Sequence, residues 1–176
     1  TSLPGPAACI TALTLSGLPT RRFCFEAFLP TDKKERQWIL EELKQETRTM
    51  IVYEAPHHLV RTLEELGAAL GMERRLTLCR ELTKRYEEAY QATFAEALQR
   101  FETEEPKGEC VIVIEGRSIE DLKREQQKSW EEMSLEDHME VYLTQGMDRK
   151  EAMKKVAKDR GISKRDVYQG LMERDE

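Results

Sequence analysis

The chain has 176 residues, 39% hydrophobic and 35% charged, enough for a buried core and for one domain with a small appendage. Its net charge of -6, from 28 basic and 34 acidic residues, excludes attraction to nucleic acid through overall charge, so any such contact needs a local basic patch. No run of about 18 apolar residues can span a membrane, no basic leader opens the chain, and Cys9, Cys24, Cys79 and Cys110 lack metal-site spacing. A cytoplasmic protein with reduced core thiols and no bound metal is expected.

The chain opens on the turn Pro4-Gly5-Pro6 without an initiator Met, which predicts a fragment of something longer. Ala7 to Ser16 reads as a short helix stopped by Gly17, and Arg22 to Phe28 as a strand ended by Pro30. Asp32 and Glu35 form a capping box for a helix through Glu46, with Trp38, Ile39 and Leu43 as its core stripe. Thr49 to Tyr53 is a buried strand, and Pro56 opens a helix with Leu59, Val60 and Leu63 inward, ending at Gly71. Glu54, His57 and His58 therefore fall on a strand-to-helix loop, where ligands of open α/β sheets collect. The same three residues would equally suit a capped, solvated turn. Adjacent histidines diverge by about 100° on a helix, which argues against a metal site.

Arg75 to Arg80 is the next strand and runs into Glu81-Leu82-Thr83-Lys84, a second charged cluster at a strand end. Thr93 and Glu96 box the start of a helix through Phe101, Lys107-Gly108 turns, and Glu109 to Ile114 is a strand closed by Glu115-Gly116. Strands alternating with helices predict an α/β fold with a mixed sheet and crossover connections. From Ile119 to Glu132 the sequence suits a linker or surface helix. Ser134 with Asp137, Asp148 with Glu151, and Ser163 with Asp166 then start three short helices, the last with Val167, Leu171 and Met172 on one side. Eight basic residues against two acidic ones lie between Arg149 and Arg165, which reads either as a docking face for RNA or as a solvated helical face. The trio is similar in layout to a helix-turn-helix unit.

The succession LPGPAACITALTLSGLPTRRFCFEAFLP, IVYEAPHHLVRTLEEL, CRELTKRYEE and KGECVIVIEG resembles the C-terminal part of the ribosomal RNA small subunit methyltransferase I family, within the tetrapyrrole methylase superfamily. The resemblance implies a tetrapyrrole-methylase-like second domain with a mixed sheet flanked by helices over residues 1–117. A linker or surface helix over 118–133 and a small helix-turn-helix-like all-α unit over 134–176 follow. It also implies S-adenosylmethionine as cofactor, 2'-O-methylation of a 16S rRNA cytidine, the small ribosomal subunit as partner and a homodimeric full-length protein. Cofactor contacts would come from Pro4, Gly5, Thr11, Glu54, Leu82, Glu115 and Gly116. Catalysis would fall to Glu54, Glu81 and Lys84, and RNA binding to His57, Arg80, Lys154, Lys155 and Lys158. Ala7, Ala55 and His58 depart from the family-typical Ser, Ser and Arg, and the family's first, Gly-rich domain has no counterpart. The rival readings are a methylase acting on a tetrapyrrole carbon and a non-catalytic nucleic-acid-binding module.

Overall fold

Five stretches form one sheet in the computed structural model, which describes residues 5–172. In chain order the elements are α1 (Ala8–Leu15), β1 (Phe23–Phe28), α2 (Lys33–Leu43), β2 (Thr49–Glu54), α3 (Pro56–Leu70), β3 (Arg75–Arg80), β4 (Glu88–Thr93), α4 (Phe94–Phe101) and β5 (Cys110–Ile114). The helices α5 (Ile119–Glu132), α6 (Leu135–Thr144), α7 (Arg149–Arg160) and α8 (Lys164–Met172) follow. Two units divide the chain, Thr1–Arg117 and Ser118–Glu176.

The sheet order is β1-β2-β5-β3-β4. β1 and β2 are parallel, whereas β5 runs antiparallel to both β2 and β3, and β4 antiparallel to β3. The carboxyl ends of β1, β2 and β3 therefore share one rim with the amino ends of β4 and β5. Side chains alternate along each strand, so the two faces bury different sets. Met50, Val52, Ile112 and Ile114 face α2, α3 and α4, where Leu59, Leu63, Leu66 and Phe94 complete the larger core. Ile51, Val111 and Val113 face the other way, onto Ala12 and Leu13 of α1.

Three sequence expectations need correction here. β4 was not foreseen, because Glu88-Ala-Tyr-Gln-Ala-Thr is a half-exposed edge strand with little apolar content. α2 ends at Leu43 rather than Glu46. Trp38 is 60% exposed, while Leu40 and Leu43 are buried, because 100° per residue turns Trp38 away from the face those leucines share.

In the second unit the span from Ile119 is a helix whose N-cap, Ser118, accepts from the amide of Asp121. The caps of the next three helices form as expected. Ser134 accepts from the Asp137 amide at 3.0 Å and Asp148 from the Glu151 amide at 2.8 Å, while Ser163 and Asp166 exchange bonds reciprocally. Met139, Tyr142, Met153, Val156 and Val167 form the core, with Leu171 packed against it and Met172 largely exposed. His138 is fully buried among them, its ring stacked on Trp130 at 4.0 Å. Its Nδ1 accepts from Arg160 Nε at 3.1 Å, and Arg160 also donates to the carbonyls of Met133 and Ser134. The proton of neutral His138 thus sits on Nε2, which lies 3.6 Å from Asp159 and has no hydrogen-bond partner among the described residues.

Burial first, then the Arg160 charge, holds His138 below the ordinary histidine range, against the pull of Asp159. The unfolded chain accordingly takes up the proton first as pH falls. Stability conferred by neutral His138 is complete above the unfolded value of about 6.5 and declines as pH drops from there through the lower folded value. Melts followed by Trp130 fluorescence in a Trp38→Phe background should show a midpoint falling between pH 7.5 and 5. That slope should shrink in His138→Gln; an identical slope would assign the titration elsewhere.

Candidate functional site

A pocket of about 200 Å³ opens where the start of α1 meets the shared rim, lined by Ala8, Phe28, Tyr53, Glu81, Leu82, Lys84 and Glu109 over a floor of Cys79, Cys110 and Val111. Tyr53 is held in place by the Cys9 amide, which donates to its hydroxyl at 2.9 Å, and by edge contacts with Phe25 and Phe28 at 4.9 and 5.7 Å. Burial raises its pKa, so the hydroxyl keeps its proton. Burial likewise pushes the Cys79 and Cys110 thiols up to about 11, which leaves both protonated near neutral pH and unsuited to act as nucleophiles.

The polar side of the pocket is a turn under strain. Glu81 has φ 49° and Thr83 φ 66°, left-handed conformations that cost about 1–3 kcal/mol each in non-glycine residues. Hydrogen bonds fix them: Lys84 N to Glu81 O at 2.9 Å, Glu87 N to Lys84 O at 3.2 Å, and Thr83 N to the Glu87 carboxylate at 2.6 Å. Lys84 Nζ pairs with Glu81 at 3.1 Å. Gly108, itself at φ 77°, makes the room: a Cβ there would stand 2.6 Å from Glu81 Oε1. The result is a fixed carboxylate and a solvent-reaching ammonium beside two aromatic faces. Such a set can accept a proton, steer an anion, and face a cation with π-electron density.

The structure gathers some of the residues singled out from sequence and separates others. Glu81, Leu82 and Lys84 line one pocket. Glu54 does not join them. Alternation places its carboxylate on the α3 side, 5% exposed, where it accepts from Thr62 Oγ1 at 2.6 Å and from its neighbour's amide at 2.8 Å. Arg80 also turns to that side and pairs with Glu88, which Arg100 shares. Glu115 and Gly116 lie at the opposite end of β5, roughly 20 Å from Glu109 at strand rise, with Glu115 paired to Arg75. Thr11 sits on α1 with its hydroxyl bonded to Ala7 O, and Gly5 is exposed. Pro4 lies outside the described residues. His57 is exposed, its ring 4.2 Å from that of His58.

Lys154, Lys155 and Lys158 are exposed on α7, opposite buried Ala152, Val156 and Ala157. Arg160, counted with them in the sequence, is turned inward to His138. Phe28, Tyr53 and Glu109 were not anticipated as site residues. The period of two along β2 was the available signal, since it sends Tyr53 to the face opposite Glu54.

The chain belongs to the tetrapyrrole (corrin/porphyrin) methylase family, whose model matches residues 1–98. Among curated relatives it is similar to the ribosomal RNA small subunit methyltransferase I of Halalkalibacterium halodurans, at 43% identity over 94% of this chain and 56% of that protein. The Synechocystis protein of the same name is 42% identical over 97% of this chain and 60% of its own length. The chain thus spans somewhat more than half the length of these relatives. A crystal structure of the methyltransferase CobJ overlaps 66% of this chain and 52% of its own, at 20% identity and a TM-score of 0.47. Among the described residues no helix is long and apolar enough to cross a membrane, and no cluster of three metal-ligating side chains occurs.

Proposed function

We propose that this chain supplies one side of the active site of an S-adenosylmethionine-dependent methyltransferase that methylates the 2'-hydroxyl of a cytidine in 16S rRNA. The observation that carries the reading is the rim pocket, where a fixed carboxylate and an ammonium stand beside Phe28 and Tyr53. The names of the relatives support the RNA substrate, and membership of the methylase family supports the donor.

The pocket suits the donor in kind. Phe28, Tyr53 and the nearby carboxylates of Glu81 and Glu109 form an environment that favours a sulfonium cation. In size it suits only part of one, since sites that enclose such ligands measure about 300–1,000 Å³. When bound, S-adenosylmethionine supplies an electrophilic methyl group. This chain's share is positioning and proton transfer: Glu81 takes the proton of the ribose hydroxyl, Lys84 holds a neighbouring phosphate, and the aromatic walls exclude water. Glu54 and Thr62 brace the start of α3 from behind the sheet.

A family-length protein containing this chain should transfer labelled methyl groups to 16S rRNA and render one cytidine linkage resistant to alkali. A methylated ribose oxygen cannot attack the adjacent phosphate, so resistance reports the 2'-O position. Label on a base, or on a tetrapyrrole in place of RNA, would overturn the reading. In the same protein, replacing Lys154, Lys155 and Lys158 with Ala should flatten the salt dependence of RNA binding by up to about three units of slope, at 0.7–0.9 per phosphate contact. Transfer at saturating RNA should survive. An unchanged slope would make α7 a merely solvated helix.

A further inference from the structure

A second cleft, of about 130 Å³, lies on the α3 side of the same rim, lined by Pro30, Thr31, Arg36, His58, Arg61 and Thr62. It is rich in N–H donors, and one carboxylate organises them. Glu65 takes the Nε of Arg36 on one oxygen and the Nε of Arg61 on the other, the latter at 2.9 Å. Arg36 is further locked by Nη2 donating to Thr62 Oγ1 at 2.7 Å and Nη1 to Pro30 O at 3.4 Å. Thr62 is fully buried and its hydroxyl donates to Glu54, so the contact is fixed from below.

A guanidinium carries five N–H donors. Arg36 therefore keeps two for the cleft, and no described residue takes the terminal nitrogens of Arg61. His58 adds an exposed imidazole, and the first turn of α3 contains no acidic residue. The clamp through Nε leaves the forked end of Arg61 facing outward, while the terminal nitrogens of Arg36, bonded to Thr62 and Pro30, keep one N–H each, a donor set that suits a tetrahedral oxyanion. Glu65 is held below the usual carboxylate range by its two arginine partners despite its partial burial, so the clamp stays charged.

Resting on the proposed rRNA substrate, we infer that the Arg36–His58–Arg61 cleft binds a phosphodiester of the RNA strand, beside the nucleotide held at the rim pocket. Arg36 and Arg61 are balanced by Glu65 and by Glu54 beneath Thr62, so the cleft offers oriented N–H donors rather than an excess of positive charge. The cleft lies on the opposite face of the sheet from Glu81, so a strand crossing the rim would be gripped on both sides of it.

The test uses the 176-residue chain in two arms. Inorganic phosphate, titrated at constant ionic strength, should shift the backbone amides of Thr31, His58 and Arg61 in the wild type and leave them unmoved in a His58→Gln/Arg61→Gln variant. Both residues are exposed, so the fold should survive. Against a single-stranded rRNA oligonucleotide, the variant should bind about fivefold more weakly at 0.1 M salt, with the salt slope reduced by about 0.7, the loss of one phosphate contact. Unmoved amides together with an unchanged slope overturn the cleft and leave the proposed function standing. A phosphate response in a chain that binds no RNA at all overturns the RNA substrate and leaves the oxyanion chemistry.

Discussion

Replacing Glu81 with Gln is expected to lower methyl transfer about a hundredfold in a family-length protein containing this chain, with RNA affinity nearly intact. The substitution keeps side-chain length and volume, and Gly108 leaves the same room for an amide as for a carboxylate. The amide oxygen can still accept from Lys84, and that exposed ion pair is worth only about 0–1 kcal/mol, so the turn should persist. What disappears is a proton acceptor at the pocket wall. Single-turnover transfer at saturating RNA isolates that step from binding. Full turnover would leave Glu81 with a structural task, holding Lys84 and the strained turn, and would move the acceptor to Glu109 on the same pocket. Glu54→Gln serves as the contrast. Its carboxylate is buried against Thr62 on the other side of the sheet, so turnover should be unchanged while stability falls.

That contrast shows what the sequence could convey. Glu54 and Glu81 look equivalent along the chain, since each follows a strand and precedes a polar turn. Two geometric facts separate them. Strand alternation sends Glu54 to the α3 side, which was readable from the register of Tyr53 and Glu54. Alternation carried one residue past Arg80 puts Glu81 on the α1 side with Cys79; what no residue type announces is the left-handed turn at Glu81 and Thr83 that holds it there, because neither is glycine or asparagine. Caps were the most legible feature: the Thr93–Glu96 box and the starts at Asp32, Ser134, Asp148 and Ser163 depend on local contacts within four residues, and all form. β4 was illegible for the opposite reason, since its pairing with β3 supplies what its composition lacks. The end of the sheet at which Glu115 and Gly116 lie was equally illegible, since the direction of β5, antiparallel to both neighbours, cannot be read from one strand.

Gly116→Ala is expected to destabilise the α/β unit by about 3 kcal/mol, at the upper end for overpacking, and to lower its melting temperature by roughly 10 °C. A Cβ at Gly116 would stand 2.2 Å from the carbonyl oxygen of Thr47 and 2.5 Å from that of Arg48. Both obstacles are backbone, so no rotamer change can relieve them. The flanking amides are also committed, Glu115 N to Arg75 O at 2.9 Å and Arg117 N to Glu46 O at 2.7 Å, so the segment cannot slide without loosening the start of β2. Gly5 offers the matched control, because an added Cβ meets nothing within 4 Å and Gly5→Ala should leave the melt unchanged. The resemblance to known methylases implicates both glycines in holding the donor, yet the packing around them differs completely. If Gly116→Ala melts like the wild type and loses donor affinity, the glycine serves the ligand. A large fall in melting temperature, with the Gly5 variant unaffected, assigns Gly116 to the close approach of two backbone segments at the end of the sheet far from the pocket.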